Sequence, residues 1–355
     1  MRLTSPSLSR SLLLASALCA AGPAVAAAGE PPVPLLWKVS DADNSVYLLG
    51  SFHLLKPTDY PLSKDVDGAF ADAESLVFEL PPEEMSSPAL GAQMGRAALR
   101  TDGTPLDSEL SSETRTLLTK WLESNRADLQ RTGLTAQVLQ RFEPWFVGLT
   151  ITLVDMTRQG LDPKFGLDAH LAARAGAAGK PASGLETGAE QIAMLDGMGR
   201  QEQLQFLAEA LSQSADGREE TMRLHKAWRD GDADRLWNGM AVEMKRQYPD
   251  LYRRINVDRN DAWMPRIEQR LKVPGDDDTL VVVGALHLLG PDGVVEKLRA
   301  RGFDVQRVCS ACSDKAPAAA HDKAQTDKSH SPRNTLGDGL PFGRTGKAMS
   351  RAISG

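Results

Sequence analysis

Two histidines recur in the same eight-residue context near opposite ends of the 355-residue chain. The first copy is Gly50-Ser51-Phe52-His53-Leu54-Leu55-Lys56-Pro57. The second is Gly284-Ala285-Leu286-His287-Leu288-Leu289-Gly290-Pro291, with Gly, His, Leu, Leu and Pro at matching offsets. Each follows an apolar run, Val46-Tyr47-Leu48-Leu49 or Thr279-Leu280-Val281-Val282-Val283, that reads as a buried strand. A single histidine in such a place reads first as a packed residue, because histidine is of intermediate burial. The repeat shifts that reading: the same geometry twice gives two imidazoles a reason to converge, and neutral imidazole is the commonest metal ligand. Gly50 and Gly284, lacking Cβ, would let backbone approach a ligand closely at each strand end.

Glu79 ends another apolar strand, Leu76-Val77-Phe78, just before Pro81. It is either the solvated last residue of that strand or a carboxylate turned into the same crevice, since an unpaired buried carboxylate is costly. Two histidines and one carboxylate can hold a divalent cation, zinc among them, with positions left for water. Such a cation would acidify bound water and polarise a substrate carbonyl. Glu186 has a similar position after Ala182-Ser183-Gly184-Leu185. It reads as a fourth ligand, a general base, an orienter of a histidine, or a helix N-terminal acid favoured by the dipole. Arg259 could bind a carboxylate or an oxyanion. Asn260 beside it is a plausible helix N-cap and a candidate substrate contact. His170 is a further substrate-binding candidate, with a half-exposed helical histidine as the plainer reading. His225, on an amphipathic helix, reads as a surface or packing residue.

The elements that must position these groups follow from pattern. Leu35–Val39 and Ser45–Leu49 read as a hairpin around Asp41-Ala42-Asp43-Asn44. Helical spacing is expected over 65–73, 111–124, 137–159, 168–178, 201–212, 218–229, 232–245 and 260–272, and a helix from Pro291 to Arg301. Strands are expected at 75–80, 180–186, 279–283 and 303–308. Each Gly-x-x-His unit thus reads as strand, loop, helix, strand, the parallel crossover. The expected fold is α/β, with a central mostly parallel mixed sheet flanked by helices and a large helical insertion. Ligands of such sheets gather at the carboxyl ends of the strands.

Composition bounds the rest. With 41% hydrophobic residues the chain can bury a full core, as one large domain or two small ones. A net charge of -6 gives no basic footprint for nucleic acid. Arg2 and Arg10, the small apolar run Ser11–Ala21 and Ala24-Val25-Ala26 read as a secretory signal peptide over 1–26. Leu18 is bulky where lipidation at Cys19 would want a small residue. A linker at 27–34, a domain at 35–312 and a disordered, mildly basic tail at 313–355 follow. No later run reaches membrane-spanning length, so the mature protein is expected in the periplasm or secreted. Nothing sets its oligomeric state. In that compartment Cys309 and Cys312 read as a local disulfide, with a redox-active pair as the alternative. His-Glu-x-x-His, Gly-x-Ser-x-Gly, P-loop and dinucleotide-binding patterns are absent from the sequence.

At these residues the chain resembles the TraB/PrgY/GumN family, which includes the Tiki Wnt-inactivating proteases. The resemblance covers about residues 35 to 308. It rests on Gly50-Ser51-Phe52-His53, Phe78-Glu79 and Gly284-Ala285-Leu286-His287. Gly166-Leu167-Asp168-Ala169-His170-Leu171, Gly179-Lys180-Pro181 leading to Gly184-Leu185-Glu186-Thr187, and Arg259-Asn260 reinforce it. It implies a fold related to erythromycin esterase and the ChaN haem-binding proteins. In the Tiki branch the paired Gly-x-x-His motifs and an acid are assigned to a metal-dependent peptidase site that prefers manganese or cobalt, and His53, His287 and Glu79 match those positions. Bacterial members are tied to pheromone-peptide shutdown or encoded with exopolysaccharide genes. The Cys-x-x-Cys pair and long polar tail depart from the pattern. The resulting expectation is an exported metal-dependent hydrolase, read as a peptidase acting on a peptide or protein. The alternatives are a non-catalytic protein that sequesters a peptide or small molecule in the same crevice, and a thiol–disulfide protein.

Overall fold

Leu36–Ser40 (β1) and Ser45–Ser51 (β2) pair antiparallel, and Asp41 closes their turn by accepting the backbone N–H groups of Asp43 and Asn44. A computed structural model describes residues 30–312 apart from 86 and 217. The expected signal peptide at 1–26 with Cys19, the first three residues of the expected linker and the expected tail at 313–355 lie outside the described residues. β2 is buried along all seven residues, and so are all six of Thr279–Gly284 (β5). Neither alternates, as expected of interior parallel strands covered on both faces.

The sheet has six strands in the order β4-β3-β5-β2-β1-β6, with Ser75–Phe78 as β3, Ala182–Gly184 as β4 and Asp304–Arg307 as β6. β4, β3, β5 and β2 run parallel, while β1 is antiparallel to both β2 and β6. The crossover from β2 through the helix Lys64–Asp72 to β3 leaves one strand position open. β5 fills it, with Ser51 level with Gly284 on one side and Phe78 level with Val282 on the other. The second Gly-x-x-His unit is also a parallel crossover, because β6 runs parallel to β5, but it passes over two strands. Its histidine lies on a short helix, Ala285–Leu288, a further helix spans Val294–Ala300, and the chain then crosses β2 and β1 to reach the sheet edge.

Helices form the rest. The expected helix over 137–159 is two, Ala136–Leu139 and Pro144–Arg158, because Pro144 lacks the N–H that would continue the first. Wide π-type turns at Asn238–Val242 and Arg253–Val257 interrupt the later helices. The second runs directly into the helix Asp258–Lys272, so Asn260 is interior to a continuous helical stretch and is not an N-cap. The inserted helices carry cores of their own. One gathers Leu118, Trp121, Val147, Ile151 and Leu207, and another surrounds Trp145. Burial of a side chain of that size contributes about 2–3 kcal/mol. No described helix is long and apolar enough to cross a membrane. Cys309 and Cys312 are joined in a disulfide, and the intervening Ser310 is bound through its N–H and hydroxyl to Asp65.

A buried ion cluster ties this helical layer to the loop after β2. Asp59 is 1% exposed. Its Oδ2 accepts from His225 Nε2 at 2.8 Å and from the Lys56 N–H at 2.7 Å, and its Oδ1 accepts from Arg229. Burial alone would push the carboxyl up. The bonds from His225, Lys56 and Arg229 outweigh it and hold the group below its ordinary 3.8. A depressed carboxylate contributes stability that is complete above its unfolded pKa and lost as pH falls through the folded one. Asp59→Ala should therefore lower unfolding free energy by about 3–5 kcal/mol at pH 7, because His225 and Arg229 lose their buried partner. In urea unfolding this gap to the unmodified protein should narrow as pH drops below about 4.

Candidate functional site

His53 lies two residues beyond β2, in a loop that the helix Leu167–Ala178 clamps. The Leu167 N–H donates to the Phe52 carbonyl at 3.2 Å. A Cβ on Gly166 would stand 2.1 Å from the His53 carbonyl oxygen, so only glycine permits this approach. Asp168, in the first turn of that helix, accepts from Ser51 Oγ and from His53 Nδ1 at 2.8 Å, both at Oδ2. The helix N-terminus favours a carboxylate there. This bond fixes the proton on Nδ1 and leaves Nε2 3.8 Å from Glu79 Oε1. Asp168, with a smaller contribution from Glu79, raises His53 to about 9 against the opposing effect of burial and Arg259.

Glu79 directly follows β3 and is 8% exposed. Its Oε1 accepts the Gly284 N–H at 2.8 Å and its Oε2 accepts Arg259 Nη2 at 2.6 Å. Burial would push this carboxyl up, but Arg259, the two imidazoles and the Gly284 N–H hold it far below the usual carboxylate range. His287 Nδ1 is 2.7 Å from Asn260 Oδ1, and its Nε2 is 3.0 Å from Arg259 Nη1 and 3.9 Å from Glu79 Oε1. An amide oxygen requires a donor and a guanidinium requires an acceptor, so the ring is neutral with its proton on Nδ1. Burial pushes His287 down to about 3, with Arg259 and His53 adding to the effect. Burial would also lower Arg259. Glu79 and Glu186 more than compensate, and Trp263 lies 4.8 Å beneath the guanidinium. Glu186 is held in turn by Gln191 Nε2 at 2.7 Å.

His53, Arg259, Gly284 and His287 line a cavity of about 1020 Å³, while Glu79 and Glu186 are not among its lining residues. A Cβ on Gly284 would lie 3.2 Å from both Glu79 Oε1 and His53 Nε2, so this glycine keeps open the space between the two groups.

His53, His287, Glu79, Glu186, Arg259 and Gly284 are thus brought together. Three other candidates are placed elsewhere. His170 packs on Tyr60, ring centroids 4.2 Å apart, and is not among the cavity-lining residues. Gly50 lies against Ala285 and Leu35, where a Cβ would come within 3.2 Å of each. Asn260 is fully buried and bridges His287 to the Asp292 carbonyl, so it positions the imidazole and does not line the cavity. Asp168, Ser51 and Trp263 were not singled out as site residues from sequence. The signals for Asp168 are its place in the first turn of a helix, two residues ahead of His170, and in the Gly166–Leu171 run that carries part of the family resemblance.

The donor set fits a divalent cation in kind. Two Nε2 atoms and one carboxylate oxygen face one another, and each imidazole has its Nδ1 bound to an acceptor, as metal-ligating histidines usually do. The spacing is wider than the about 3.4 Å between donors around a tetrahedral ion, and Arg259 holds His287 Nε2. Among the described residues no group of three or more His, Cys, Asp or Glu forms a metal centre as it stands.

A model of the TraB/PrgY/gumN family matches residues 35–307, and the chain belongs to that family. No curated protein and no solved structure gives a match.

The His53–Asp168 pair can be read directly. In histidine NMR titrations of the metal-free protein, His53 should titrate near 9, and well below that in Asp168→Ala. A raised histidine pKa stabilises fully below the unfolded value, and that contribution is lost as pH rises through about 9. Asp168→Ala should therefore flatten the alkaline side of the stability profile.

Proposed function

We propose that this family member is an exported metal-dependent hydrolase that cleaves amide bonds in a peptide or protein, with His53, His287 and Glu79 as the cation's donors. The observation that carries this reading is the convergence of two Nε2 atoms and Glu79 Oε1 beside Gly284, which lines the cavity. The cation, manganese or cobalt by the family resemblance and zinc by the donor set, would supply carbonyl polarisation and acidification of a water.

The chain's own residues divide the remaining work. Asp168 keeps the His53 proton on Nδ1, so that Nε2 presents its lone pair once the imidazolium gives up its second proton. Asn260 does the same for His287 with a neutral oxygen. Glu186 anchors Arg259 through Nε. Freed from His287 Nε2, Nη1 of Arg259 can bind the negative charge that develops on a substrate carbonyl oxygen. The apolar part of the cavity excludes water around the bound chain. The leader read at 1–26 and the Cys309–Cys312 disulfide support export.

One observation favours a second reading. Arg259 already bonds Glu79, Glu186 and His287 Nε2 together, so each of these groups has a partner without a cation. A binding protein that sequesters a peptide or small molecule would need nothing more.

Metal analysis and a peptide-library cleavage assay with and without Mn²⁺ or Co²⁺ separate the two. The purified chain should retain a divalent cation and cleave only in its presence. His53→Ala/His287→Ala should lose the metal and at least about 100-fold in rate. Equal metal content in the two proteins would remove the ligand assignment, and chelator-insensitive binding without turnover would favour sequestration.

A further inference from the structure

Two of the three groups assigned above as cation donors already spend bonds on a cation of the chain's own. Arg259 Nη1 donates to His287 Nε2 at 3.0 Å, and Nη2 donates to Glu79 Oε2 at 2.6 Å. A neutral imidazole has one acceptor nitrogen, so His287 Nε2 can serve the guanidinium or a metal ion and not both. A divalent cation on Glu79 would also meet the repulsion of the guanidinium charge beside it.

Neither donor depends on the arginine for its pose. Asn260 Oδ1 takes the His287 Nδ1 proton at 2.7 Å, and Asn260 is itself fixed by the Asp292 carbonyl at 2.8 Å. Glu79 Oε1 keeps the Gly284 N–H at 2.8 Å. Both groups can therefore lose the guanidinium and stay in place. The arginine has a second anchor as well. Its Nε donates to the two oxygens of Glu186, at 3.1 and 3.3 Å, and Gln191 holds that carboxylate in turn. Arg259 also lines the cavity, so space for a displaced Nη1 adjoins it. We propose that Arg259 is a built-in competitor of the cation. It caps His287 Nε2 and Glu79, and a divalent cation is taken up only as Nη1 withdraws from His287 while Nε stays on Glu186. The inference rests on the ligand assignment proposed above, and it concerns how the site is loaded rather than what it cleaves. A capped state that dominates lowers the apparent affinity by the fraction of molecules that are uncapped.

The test measures Mn²⁺ binding by calorimetry on the full chain and on Arg259→Ala. The variant should bind about tenfold tighter or more, the worth of a charge-assisted bond that no longer has to be broken. A second measurement stands even if Arg259→Ala, with Glu79 and Glu186 left unpaired, does not fold. It is a crystal structure of the unmodified chain grown with Mn²⁺, the ion located by anomalous scattering. The ion should lie on His287 Nε2, with Arg259 Nη1 beyond hydrogen-bond distance of that atom and Nε still on Glu186. Equal or weaker binding by Arg259→Ala overturns the proposal, and so does a bound ion with the Arg259–His287 contact intact. Absence of the ion from both proteins overturns it together with the ligand assignment. Peptide cleavage by a chain that keeps the contact removes this inference and leaves the hydrolase reading. Tighter binding by the variant, with no cleavage by the unmodified chain, upholds the inference and removes the hydrolase reading.

Discussion

A carboxylate kept charged inside the protein dictates the arrangement around it. Removing an ion from water costs several kcal/mol unless partners replace the solvent. Glu79 finds them in the Gly284 N–H and in Arg259. Arg259 is itself enclosed and draws in Glu186, which draws in Gln191. One acid at a strand end thus links β3, β5, the loop after β4 and the helix Asp258–Lys272. The parallel register makes this feasible, because it sets β2, β5 and β3 level at their carboxyl ends.

The duplicated motif is symmetric in sequence and asymmetric in electrostatics. Each imidazole offers Nδ1 to an oxygen. That oxygen is a carboxylate for His53 and a neutral amide for His287. One ring is driven toward the cationic form and the other toward the neutral form.

Strands and the acid at the end of β3 were legible in the sequence because long apolar runs leave few other readings. Strand order was not. The placement of β5 between β2 and β3 depends on pairing across more than two hundred residues, which local pattern does not encode. The errors at single residues have local causes. Asp168 and His170 are two residues apart, about 200° around a helix, so only one of them can face the sheet end. Strand alternation turns Ser51 toward Asp168 and Gly50 to the opposite face, against Ala285. Asn260 resembled a cap because no proline or glycine marks the π-turn that carries the helix on upstream of it.

The late arrival of β5 has a consequence for the chain before it is finished. Until residue 279 has emerged, β2 and β3 flank an open slot, and each presents a row of unpaired N–H and C=O groups to it. Such edges are templates for pairing with another chain. A nascent or truncated polypeptide that ends before β5 is therefore an adhesive intermediate. Its central slot would accept a strand from a neighbouring copy as readily as its own, and chaperones would be needed most during this interval of synthesis.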